Sequence, residues 1–131
     1  MGIIEKMRLD EKKAFVTGGA RGIGKSVALA FGEAGADVAL VDIDLAEAEK
    51  TAAELSEKTG RRFIAVQADV TDSQDVDRMI QTVLREFGRL DIAMCNAGIC
   101  MNIPAEEMTL EQWKKVIDIN LTGVFLTAQA A

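Results

Sequence analysis

Short apolar runs alternate with amphipathic stretches along the whole chain. The runs at about Lys13–Thr17, Asp37–Val41, Phe63–Ala68 and Leu90–Cys95 are continuous rather than alternating. That pattern predicts strands buried on both faces. Between them the apolar positions recur at helical spacing. The first helix is expected over about Ile23–Ala34, stopped by Gly35. The second starts near Asp44, with Glu47 three residues on, and ends at Gly60. The third has a candidate capping box, Thr71 with Gln74, and a stripe through Val76, Met79, Ile80, Val83, Leu84 and Phe87. Gly88 follows as its stop. A fourth has a second candidate box, Thr109 with Gln112, and Met108 placed to staple onto Trp113. Its stripe is Leu110, Trp113, Ile117, Leu121 and Val124. Strands alternating with helices imply an α/β fold, a doubly wound parallel sheet with right-handed crossovers. The expected strand order is 3-2-1-4. Its reversal point, between the first and fourth strands, is where such sheets bind ligands.

The junction of the first strand and first helix carries the strongest chemistry. Thr17-Gly18-Gly19-Ala20-Arg21-Gly22-Ile23-Gly24 places glycines where a strand turns into a helix. Gly18 can adopt a tight turn that a side chain would forbid. Gly22 and Gly24 lack a Cβ, so a pyrophosphate can approach the backbone, and the helix's first N–H groups and dipole favour that anion. The same glycines also serve an ordinary strand-to-helix turn.

Further residues fall at the same end of the sheet. Asp42 ends the second strand, 25 residues beyond Thr17. It can accept from both hydroxyls of an adenosine ribose, or serve as a loop carboxylate or a cap competing with Asp44. Asp69, before Val70, can receive the amine of an adenine, or sit at a helix start where the dipole stabilises it. Asn96-Ala97-Gly98 lets a flat ribose or nicotinamide lie against the backbone, or forms a plain strand-ending turn. Asn120 lies on or beside the fourth helix's apolar stripe, so its amide needs hydrogen bonds. It either ties the helix to a loop or positions water at an active site.

These motifs together resemble the N-terminal, cofactor-binding half of the classical short-chain dehydrogenase/reductase family. Thr17 through Gly24 is similar to its T-G-x-x-x-G-I-G turn, with Arg21 and Ile23 inside it. Asp42, followed by Ile43, matches its NAD-selecting acid, and Asp69-Val70 its adenine-contacting pair. Asn96-Ala97-Gly98 matches its N-A-G motif, with Cys95 where a second Asn is frequent. Asn120 matches the helix Asn of its Asn-Ser-Tyr-Lys catalytic set. The resemblance runs from about Leu9 to Ala131. It implies that residues 1–131 form an NAD(P)-binding Rossmann domain, the N-terminal half of a larger single-domain subunit, with the later strands and helices missing. The implied activity is hydride transfer between a nicotinamide cofactor and an alcohol, polyol or carbonyl. The cofactor is expected to be NAD rather than NADP, because Asp42 would face a 2′-phosphate. Arg21 is the counter-argument. The residues after the N-A-G turn, Ile99, Cys100, Met101 and Ile103, suggest one apolar wall of a substrate site. The general look is that of members acting on polyols or sugars, against 3-oxoacyl or steroid substrates. The family's Ser and Y-x-x-x-K fall beyond Ala131, and the chain contains no Tyr and no His. A non-catalytic dinucleotide-binding module and an inactive fragment are therefore the alternative readings.

Composition narrows the partners. The 131 residues are enough for one core, and the net charge of −6 makes nucleic acid and anionic membranes poor partners. No apolar stretch reaches the roughly 18 residues of a membrane span. The first residues lack a signal-peptide core, and Lys6 argues against myristoylation. Two cysteines, Cys95 and Cys100, form no disulfide framework and are expected to be buried or half-buried thiols in a reducing cytoplasm. No metal centre is expected. A homo-oligomer, built through the fourth and fifth helices, is what the resemblance implies.

Overall fold

The computed structural model describes Met1–Ala131. Four parallel strands form one sheet: β1 (Lys13–Thr17), β2 (Asp37–Asp42), β3 (Phe63–Gln67) and β4 (Ile92–Met94), in the order β3-β2-β1-β4. The order expected from the hydrophobic pattern is the one observed. Helices α2 (Gly22–Glu33), α3 (Leu45–Thr59) and α4 (Ser73–Phe87) are the crossovers. A single helical turn, α1 (Ile3–Lys6), precedes β1, and α5 (Leu110–Ile117) and α6 (Gly123–Ala130) follow β4.

Successive strand residues feed two separate cores, which is why the strands are apolar throughout. On one face Val16, Val38 and Leu40 pack with Ala28 of α2 and Ala48 and Leu55 of α3. On the other, Phe15, Ala39, Val41 and Val66 pack with Val76, Met79 and Val83 of α4, and Leu126 and Ala130 of α6 close over them. Register pairs Phe15 with Ala39 and Ala93, and Val16 with Leu40 and Met94. All four strand C-termini therefore open toward one edge.

The helix stops fall where the glycines predict. Gly60 and Gly88 end α3 and α4 in the left-handed conformation, at φ +69° and +78°. The Thr109–Gln112 capping box is made in both directions. The Thr71–Gln74 box is not. Asp72 caps α4 instead, accepting from the N–H groups of Gln74 and Asp75, while Thr71 donates its hydroxyl to Asp69. A carboxylate one residue nearer the helix outcompetes the hydroxyl. The single fourth helix expected is also interrupted. A π-helical turn at Asp118–Thr122 separates α5 from α6. Its stripe is not buried: Leu110, Trp113 and Leu121 are 66%, 56% and 64% exposed. Cys95 is half-buried as expected, but Cys100 is exposed. No helix is long and apolar enough to cross a membrane.

Candidate functional site

The sheet's C-terminal edge opens into a cleft of about 610 Å³. Four chain segments line it. Gly18, Arg21 and Ile23 come from the glycine turn, and Asp42, Ile43 and Asp44 from the end of β2. Asp69 and Val70 follow β3, and Asn96, Ala97, Gly98 and Ile99 follow β4. Ile119 of the π-helical turn closes one side. Ten of the fourteen sequence-derived candidates thus meet at one cleft.

The other four, Thr17, Gly22, Gly24 and Asn120, are not among the lining residues, and each has a local reason. Gly18 and Gly22 both have positive φ, +64° and +60°. A Cβ on Gly22 would meet nothing within 4 Å, so this position faces open space. The first N–H groups of α2, on Gly22, Ile23 and Gly24, have no acceptor within the protein, and Arg21 provides no side-chain cap. By contrast α3 and α4 are capped by Asp44 and Asp72. An uncapped, glycine-bounded helix start beside a cleft suits an anion. Gly24 differs from its expected part. A Cβ there would lie 2.1 Å from the Gly18 carbonyl oxygen and 2.7 Å from the Asn96 amide nitrogen. It is a packing glycine that lets α2 sit against the turn.

Thr17 is 1% exposed and does not line the cleft. Its hydroxyl accepts from the N–H groups of Asn96 (2.9 Å) and Ala97 (3.1 Å) and donates to the Met94 carbonyl. The Asn96 side chain donates back to the carbonyls of Thr17 (3.1 Å) and Gly18 (3.4 Å). These bonds lock the glycine turn to the segment after β4 across the sheet's reversal point.

Asp42 is braced from both sides. Its Oδ2 accepts from the Ala20 N–H (3.2 Å) and its Oδ1 from the Asp44 N–H (3.0 Å). Asp69 accepts from the Thr71 N–H, while its own N–H donates to Asp75 at 2.8 Å. That bond, with Arg78, holds the Asp75 carboxyl below its usual range. Asn120 is exposed rather than part of a core stripe. Its side chain nevertheless clamps one residue in both directions: Oδ1 accepts from the Ile99 N–H and Nδ2 donates to the Ile99 carbonyl, both at 2.8 Å. Asn120 fixes the loop that follows Gly98. Burial pushes the Cys95 thiol up, away from a reactive thiolate.

Sequence reasoning missed three contributors. Gly19 has its missing Cβ 2.8 Å from the Val16 carbonyl. Asp44 pairs with Arg21 at 2.8 Å. Thr51, buried on α3, donates to the Ala20 carbonyl at 2.6 Å and anchors the glycine turn from below. Thr51 was detectable: it falls on the stripe Ala48, Thr51, Ala52 and Leu55, where a lone hydroxyl needs a partner.

Comparison with known proteins places this arrangement among described folds. Residues 12–131 match the short chain dehydrogenase family model. The D-threitol dehydrogenase of Mycolicibacterium smegmatis is 43% identical over 125 residues, covering 94% of this chain and 47% of that protein. A short-chain type dehydrogenase/reductase from Mycobacterium marinum superposes with a TM-score of 0.96 at 40% identity, over 100% of this chain and 53% of that one. The NADPH-dependent 3-quinuclidinone reductase of Rhodotorula rubra superposes with a TM-score of 0.87 at 34% identity, over 98% and 49%. The chain thus spans about half the length of the proteins it matches.

Proposed function

The chain belongs to the short-chain dehydrogenase/reductase family, and from that premise we propose that it is the dinucleotide-binding half of an oxidoreductase acting on an alcohol, polyol or carbonyl. The supporting observation is the start of α2, where the N–H groups of Gly22, Ile23 and Gly24 have no protein acceptor and the open, positive-φ Gly22 lies between the cleft-lining Arg21 and Ile23. Those N–H groups would hold the pyrophosphate. Asp42 would accept from the adenosine ribose, Asp69 and Val70 would border the adenine, and Asn96-Ala97-Gly98 would lie against the nicotinamide-side ribose. A bound nicotinamide supplies the hydride acceptor or donor. The residues of this chain bind and orient; Asn120 holds the loop at Ile99 but cannot itself exchange a proton with an alkoxide. The threitol activity of the Mycolicibacterium relative favours a polyol substrate.

NAD is the proposed cofactor. A 2′-phosphate beside Asp42 would meet a like charge, which at about 4 Å and an effective dielectric near 20 costs up to about 4 kcal/mol before screening. The NADPH dependence of the Rhodotorula reductase shows that a closely similar fold serves the other cofactor, so the local carboxylate carries the argument. Calorimetric titration of the chain with NAD and NADP tests it, with circular dichroism as the folding control. Tighter NAD binding is expected, and Asp42→Asn should narrow the gap about tenfold or more. Tighter NADP binding, or an unchanged ratio in the variant, would contradict the reading.

A further inference from the structure

Arg21 is the single cation lining the cleft, against the carboxylates of Asp42, Asp44 and Asp69. A guanidinium in that position could pair with a phosphate on the adenosine ribose and offset the repulsion from Asp42. The structure gives it another partner. Arg21 donates to Asp44 Oδ2 at 2.8 Å. Asp44 is itself fixed, because its Oδ1 accepts from the Glu47 N–H as the cap of α3 and its N–H donates to Asp42. The arginine is therefore held on a carboxylate that the fold cannot easily move.

We propose that Asp44 is a specificity-determining residue: by holding Arg21, it withholds the cleft's only cation from a 2′-phosphate and strengthens the selection made by Asp42. The inference rests on the dinucleotide reading given above. Asp44 is a positioning residue here, acting through Arg21. Both side chains are substantially exposed, 65% for Arg21 and 47% for Asp44. Exposed pairs are weak, so the effect is small: about threefold to fivefold in the affinity ratio.

The test measures binding of ADP and of ADP carrying a ribose 2′-phosphate, by calorimetry at low salt, and takes the ratio of their Kd values. Asp44→Ser keeps a capping oxygen but is too short to reach the guanidinium. Asp44→Asn is the second variant, since it caps equally well without charge. The wild type is expected to prefer ADP. Either Asp44 variant should lower that preference about threefold to fivefold. In an Arg21→Gln background the same substitutions should leave the ratio unchanged. An equal shift in both backgrounds would mean that the Asp44 charge acts directly on the phosphate, and would overturn the proposal. So would an unchanged ratio in both variants. Failure of the wild type to bind either probe, or preference for the phosphorylated one, would overturn the underlying cofactor reading and this proposal with it. Binding of ADP with the wild-type preference intact in the Asp44 variants would overturn this proposal alone.

Discussion

At the residue scale, two glycines five positions or fewer from Arg21 have opposite physical constraints. Gly22 has open space where its Cβ would be, but its φ is +60°. Gly24 has a helical backbone, but its Cβ would strike the Gly18 carbonyl oxygen. Gly22→Val should therefore leave the packed core largely intact, with a backbone penalty of about 1–2 kcal/mol. It should weaken dinucleotide binding at least about tenfold, because a branched side chain fills the space beside the free N–H groups. Gly24→Ala should first cost stability, about 1–3 kcal/mol or more, since a backbone carbonyl must move. Thermal unfolding and calorimetric binding on both variants check the contrast. Wild-type stability in Gly24→Ala, or wild-type affinity in Gly22→Val, would contradict it. The sequence made the turn legible but not this division of labour. Gly24 is constrained by Asn96, more than seventy residues away in the chain, and no local pattern announces such a contact.

At the element scale, the opposite edge of the sheet is held by charge rather than by glycine. Asp37 opens β2 and is only 8% exposed. It pairs with Lys13 Nζ of β1 at 2.5 Å and Arg61 at 2.9 Å, and accepts from the Arg62 N–H at 3.0 Å. Burial pushes its carboxyl up, but Lys13, the Arg62 N–H and Arg61 together pull it further down, below its ordinary 3.8. A depressed carboxyl stabilises the fold above its unfolded value and loses that contribution as pH falls through the folded one. Between α2 and α3, Glu54 behaves alike: hydrogen bonds from Lys25 and then Lys58 bring it from 4.5 to about 2. Acid stability should therefore fall as pH drops from about 4.5 toward 2. Asp37→Asn keeps the Arg62 contact but strands two cations, and should cost about 1–3 kcal/mol near neutral pH. Urea midpoints measured down the pH scale should show the gap to wild type closing below 3.8. A gap of constant size would rule this clamp out as an acid-sensitive element. The strands and their order were legible because each apolar run is short, continuous and bounded by turn residues. The clamp was not, since its charges come from three separate segments and each alone reads as a solvated surface residue. The π-helical turn was hidden for another reason. One added residue per turn preserves the apolar spacing on either side, so Leu110 to Val124 reads as a single helix.

At the scale of the whole molecule, both faces of the sheet are covered but the helices after β4 are not. The core under α2 and α3 includes Phe15's neighbours Val16, Val38 and Leu40, all fully buried. Around α5 and α6, by contrast, Leu110, Trp113, Leu121 and Phe125 are each more than half exposed. β4 has a strand neighbour on one side only, β1, so its other edge offers unpaired N–H and C=O groups. Several large apolar side chains in one region and an open strand edge together favour self-association. A net charge of −6 slows encounter between copies but cannot cover that surface. The chain should therefore associate as its concentration rises. Trp113 is its only tryptophan and lies within the exposed region, so its emission should shift to shorter wavelength as the oligomer forms. Leu121→Glu places a charge on the same surface and should hold the chain monomeric at concentrations where the wild type associates. Size-exclusion chromatography with light scattering, read beside tryptophan emission, decides the matter. A wild-type monomer at every concentration, with unchanged Trp113 emission, would mean that this apolar surface does not drive association. An oligomer that persists in Leu121→Glu would move the contact to another surface, with the four exposed apolar residues of the N-terminal turn, Met1, Ile3, Ile4 and Met7, the next to be substituted.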